Sequence, residues 1–68
     1  MYEYTLIGGP QDGAKVVLYD DRNTIYVGPK WLGDGYAAYS TEHSGRFPVC
    51  YEKRDKFNFV CRGTVLPF

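Results

Sequence analysis

Gly8-Gly9-Pro10-Gln11-Asp12-Gly13 restricts the fold of this chain more than any other segment. It separates two apolar runs, Tyr2 to Ile7 and Ala14 to Tyr19. Glycine reaches positive φ without steric cost, proline presets φ for a turn, and aspartate bonds back to its own backbone. Gly8, Gly9, Pro10, Asp12 and Gly13 are therefore read as a structural turn between two strands. Gly13 closes the turn behind Asp12, as in an Asp-Gly pair, and is the position where alanine is expected to cost most.

Turn signals recur about every 8–12 residues, the spacing of a small all-β domain. Helical periodicity is absent, and β-branched or aromatic clusters lie between the turns. Strands are expected at Tyr2–Ile7, Ala14–Tyr19 and Thr24–Val27, with a weak one at Tyr36–Ser40, where alanines disfavour extended structure. Phe47–Lys53 and Phe57–Arg62 read as a hairpin ended by Gly63. The fold class is thus all-β, a single domain over residues 1–68. Its expected architecture is a small antiparallel sheet or half-barrel of five to six short strands.

The hairpin register decides where the cysteines go. A two-residue turn at Asp55-Lys56 places Cys50 opposite Cys61, within reach of a disulfide. A three-residue loop, Arg54 to Lys56, instead pairs Tyr51 with Phe59 and Val49 with Cys61. That register gathers Phe47, Val49, Tyr51, Phe57, Phe59 and Cys61 on one face, with Cys50, Glu52 and Asn58 on the other. A one-residue slip inverts a strand's faces, so the apolar pattern favours the second arrangement, with two free thiols.

Composition limits function more than it names one. A chain of 68 residues has little room for both a core and a deep cleft. Eight basic and eight acidic side chains cancel, so no global field drives binding to nucleic acid or anionic membrane. The balance is uneven, with five acidic and three basic groups in residues 1–34 and the reverse in residues 35–68. No stretch has the apolar length of a membrane helix, and the first residues lack the pattern of a signal peptide. Neither a membrane association nor a cofactor is expected.

Candidate chemistry is sparse. A phosphate loop needs amides at a helix start and a lysine after its last glycine, whereas here proline removes an amide and a strand follows. His43, Cys50 and Cys61 lack metal-ligand spacing, and no metal is expected. Nothing local places His43 beside either thiol for nucleophilic catalysis, and Asp20-Asp21 sits where turns favour aspartate. The chain is accordingly read as a non-enzyme.

Seven tyrosines, four phenylalanines and one tryptophan supply a small core, a binding surface, or both. The interface candidates are Lys30, Trp31, Tyr36, Arg54 and Lys56. Trp31 stands between two glycine-rich turns, flanked by Lys30 and followed by Tyr36, and tryptophan and tyrosine are frequent interface anchors. The competing reading folds Trp31 back over an open end of the sheet. Arg54 and Lys56 lie with Arg46, Lys53 and Arg62 near Tyr51, Phe57 and Phe59, a mixture that small barrels use for single-stranded nucleic acid.

The pattern Tyr4-Thr5-Leu6-Ile7 running into GGP-x-DG, with a closing aromatic strand ending in Arg62-Gly63, resembles the small GGP-x-DG accessory proteins of tailed bacteriophages. No activity is established for that family. The resemblance implies a viral accessory protein working in the host cytoplasm. The leading expectation is binding and inhibition of a host factor, a defence component among the candidates. The alternatives are a nucleic-acid or nucleotide-binding module, and a virion or assembly component. In the last, the apolar tail Thr64-Val65-Leu66-Pro67-Phe68 packs along an edge or against a partner, self-association included.

Overall fold

A computed structural model describes residues 1–28 and 35–64, and among these residues there are six strands and no helix. They are β1 (Tyr2–Ile7), β2 (Lys15–Leu18), β3 (Thr24–Val27), β4 (Tyr39–Ser40), β5 (Val49–Lys53) and β6 (Asn58–Thr64). The sheet order is β2-β1-β6-β5-β3-β4. Every pairing is antiparallel except β1 with β6, where Thr5, Leu6 and Ile7 run parallel to Asn58, Phe59 and Val60. The sheet curls until its edges almost meet. Just before β4, Lys15 N donates to Gly35 O (2.8 Å) and Ala37 N donates to Lys15 O (2.7 Å), bridging Tyr36 to the far edge strand β2. The product is a small, nearly closed all-β barrel, as the alternating pattern predicts.

Alternation selects the interior. Tyr4 and Leu6 from β1, Val16 and Leu18 from β2, Ile25 and Val27 from β3, Val49 and Tyr51 from β5 and Phe59 from β6 are all buried. Tyr4 and Phe59 meet edge to face, with ring centroids 4.7 Å apart, an arrangement favoured by the ring quadrupoles.

The hairpin keeps the expected face but not the expected pairing. Tyr51 lies opposite Cys61 and Lys53 opposite Phe59. The loop has three residues, but they are Asp55-Lys56-Phe57, one position later than expected, because Arg54 N already donates to Asn58 O (2.9 Å). Moving a loop by one position moves the pairing by two, so inside and outside are preserved. Phe57 and Phe47 are exceptions: Phe57, in the turn, is 68% exposed rather than in the core, and Phe47 precedes β5, which starts at Val49, and is only half-buried. Gly63 does not end the hairpin. It lies inside β6 at φ 119°, where a bulge at Arg62 shifts the partner of Cys50 to Gly63. Cys50 and Cys61 are both free and half-buried.

The glycine-rich turn is built as expected and is fastened as the sequence alone does not disclose. Gly8, Gly9 and Gly13 hold φ of 78°, 68° and 90°. Gly8 N donates to Asp12 Oδ1 (2.7 Å), and Gly13 N donates to Leu6 O (2.8 Å), closing the loop onto β1. From the core, the buried Tyr51 hydroxyl donates to Gly8 O (2.6 Å) and accepts from Gln11 N (3.2 Å). Gln11 is itself 2% exposed, and its Nε2 donates to Gly28 O (2.8 Å) at the end of β3. One tyrosine and one glutamine thus tie the turn to β5 and β3.

Gly9, not Gly13, is the glycine under the tightest constraint. A Cβ at Gly9 would lie 2.5 Å from Cys61 Sγ and 2.8 Å from the Tyr51 hydroxyl, whereas one at Gly13 would meet nothing within 4 Å. Gly13→Ala is expected to cost about 1–2 kcal/mol from left-handed strain alone. Gly9→Ala adds overpacking and is expected to reach about 3 kcal/mol or more, which urea melts of the two variants will compare.

Burial, first among the causes, pushes the Tyr51 hydroxyl up to about 12 from its ordinary 10.0. A group whose pKa is raised by folding stabilises fully below its unfolded pKa and loses that contribution as pH rises through its folded pKa. Stability is therefore expected to fall between about pH 10 and 12. Tyr51→Phe removes this alkaline step and costs about 1–3 kcal/mol at neutral pH, because Gly8 O and Gln11 N lose their partner. Denaturant melts across that pH range check both.

Candidate functional site

The end of the barrel opposite the glycine-rich turn carries an open groove. The start of β1, the turn between β2 and β3, and the β5–β6 loop form its walls. It encloses about 640 Å³ and is lined by Tyr2, Tyr4, Asp21, Asn23, Lys53, Arg54, Asp55, Lys56 and Phe57.

The floor is held by a charge pair over an aromatic ring. Lys53 Nζ bonds Asp21 Oδ1 and lies 5.5 Å from the centroid of the Tyr4 ring, in cation–π range. The Asp21 hydrogen bond and then Tyr4 raise the pKa of Lys53, so it remains a cation at neutral pH. Backbone bonding sets the height of this floor, with Lys53 N donating to Asn23 O (2.8 Å).

Asp55 shapes the loop that forms the rim. Its Oδ1 accepts from Phe57 N (2.8 Å) and from Asn58 Nδ2 (3.0 Å), an Asx turn that presents Phe57 outward. Thr5 N donates to Phe57 O (2.8 Å), securing the loop against β1. Phe57 and Tyr2, 68% and 47% exposed, then stand as large apolar groups on the groove. Both carboxylates of the groove are engaged, Asp21 by Lys53 and Asp55 by its own loop. No ion pair forms at Arg54 or Lys56 among the described residues.

Arg54 and Lys56 are thus brought together, as their spacing suggests. Tyr36 is not among the groove-lining residues; it lies at the β2 edge, where its hydroxyl donates to Glu3 Oε2 (2.8 Å). Lys30 and Trp31 lie outside the described residues, as do Val65 to Phe68 of the apolar tail. His43, read from sequence as an ordinary polar-loop residue, is half-buried and meets Tyr26 edge-on, with centroids 6.1 Å apart. Sequence reading missed Tyr2 and Phe57 as surface groups, because alternation assigned Phe57 to the core.

The fold defines a class, a small all-β barrel, and among the described residues it carries an open groove lined by aromatic and charged side chains. Comparison with protein-family models, curated proteins and solved structures finds no match to this chain.

Phe57 N–H and then the Asn58 side chain hold the Asp55 carboxyl below its ordinary 3.8. Such a group stabilises above its unfolded value and loses that contribution as pH falls through its lower folded value. The loop is expected to keep its shape at pH 4 and to loosen only below Asp55's own titration. Amide shifts of Phe57 and Asn58 followed through an acid titration will report this, and Asp55→Ala is expected to produce the loosened loop already at neutral pH.

Proposed function

We propose that this protein is a non-catalytic binding module whose ligand face is the groove between β1 and the β5–β6 loop. The observation that carries this reading is Phe57. A rigid Asx turn holds a large apolar side chain in water, where it contributes nothing to the core. Exposed aromatics beside arginine are the residue types that dominate protein interfaces. A catalytic role finds little support in the nucleophiles. Burial pushes the Cys50 thiol up and keeps it protonated, and the Tyr51 hydroxyl is occupied by the turn.

The biological setting rests on the GGP-x-DG resemblance. On that basis the partner is a host protein, bound in the host cytoplasm and inhibited by occupation, with a host defence component as one target. The nucleic-acid reading has one observation in its favour, the Arg54, Lys56 and Phe57 cluster on a single loop.

Tyr2 and Phe57 are exposed, so replacing both with alanine is expected to leave the melting temperature within a few degrees of wild type. The same change is expected to weaken partner binding by about 2 kcal/mol or more. Capture from infected-cell lysate with tagged wild type and the double variant tests this. One host protein held by wild type and lost by the variant supports the proposal. Nucleic acid as the retained species supports the alternative module, and phage structural proteins support an assembly role.

A further inference from the structure

The charges of the groove define what kind of partner it accepts. We infer that it receives a short acidic segment of another polypeptide, with one aromatic or large aliphatic side chain inserted among Tyr2, Tyr4 and Phe57. This rests on the binding-module reading and adds the chemistry of the ligand.

Charge complementarity carries the inference. Three cations and two carboxylates line the groove. Asp21 is neutralised by Lys53, and Asp55 spends its acceptors on Phe57 N and Asn58 Nδ2. Asp55 stays ionised beside Arg54, so three cations against two carboxylates leave the groove one net positive charge, presented by Arg54 and Lys56, both exposed on the rim. Their like charges favour a carboxylate-bearing ligand, and an arginine fork matches a carboxylate with two parallel hydrogen bonds. Apolar surface lies directly beside these cations, in Phe57 and Tyr2. An acidic residue next to an apolar one therefore satisfies both features at once.

The same map disfavours a nucleic-acid strand. A polyphosphate carries a charge at every nucleotide and needs cations along its whole path. Among the cations that line the groove, those without ion pairs, Arg54 and Lys56, lie on one loop, and Asp21 and Asp55 line the same groove. A phosphate chain crossing the groove passes both carboxylates. A short peptide with its charge at one end does not.

The test is a titration of the labelled full-length protein, followed by amide shifts. The probe is a synthetic peptide with one tryptophan flanked by glutamates. Three controls accompany it: the same peptide with glutamines, the same peptide with alanine for tryptophan, and a thymidine oligonucleotide. The acidic tryptophan peptide is expected to shift Tyr2, Lys53, Arg54 and Phe57 and to bind about tenfold more tightly than either altered peptide. Arg54→Glu and Lys56→Glu are expected to lose about tenfold each with an unchanged far-ultraviolet spectrum, since both side chains are exposed on a loop. Equal binding of the glutamine peptide at the groove overturns the acidic chemistry and leaves the binding-module reading intact. Binding of the oligonucleotide in preference to every peptide overturns the inference in favour of nucleic acid. If no probe shifts the groove while Tyr2 and Phe57 remain necessary for capture from lysate, the ligand chemistry is wrong and the module reading survives. If that necessity also fails, both fall.

Discussion

The Tyr51 hydroxyl joins the first turn of the chain to its last hairpin, and the rest of the barrel depends on that junction. It donates to Gly8 O and accepts from Gln11 N, partners 43 and 40 residues away in sequence. A buried hydroxyl without partners is costly, and so are buried backbone groups. Each side of this contact therefore requires the other. Gly9 must lack a side chain so that the turn can approach Tyr51 and Cys61. Gln11 extends the same junction to Gly28, so hydrogen bonds link the first turn to both β5 and the end of β3.

That fastening gives the two ends of β1 different roles. At its C-terminal end, the turn is folded back on the core through Tyr51 and Gln11. At its N-terminal end, Tyr2 and Tyr4 meet a loop that Asp55 holds rigid, and apolar surface stays in water. Parallel pairing of β1 with β6 brings the ends together, since Thr5 lies beside Asn58. Closure through Lys15 and Tyr36 leaves the sheet short of a free edge at that position, an arrangement that blunts edge-to-edge association there.

Local chemistry was legible where neighbours in sequence decide it. The bounds of β1 and β3, the positive φ of the turn glycines and the inward face of β5 all follow from alternation and turn residues. The hairpin pairing was not, because loops of equal length at adjacent positions satisfy the same apolar pattern. Asp55 settled it by accepting from Phe57 N and Asn58 Nδ2, a choice made by hydrogen-bond geometry and not by hydrophobicity. The groove was half legible: Arg54 and Lys56 stood out as cations either side of Asp55, while Phe57 was hidden inside a run that reads as core.

The sequence by itself determined that the chain forms short strands around sharp glycine turns, with one face of each strand buried. Steric limits on φ and the two-residue period of a strand act locally and need no partner. Only the tertiary structure decided that Gln11 is an interior residue, that Gly9 is more constrained than Gly13, and that Phe57 faces water. Each of these depends on what arrives from far along the chain, and the energy of a buried polar group or a missing Cβ is set by its neighbours in space.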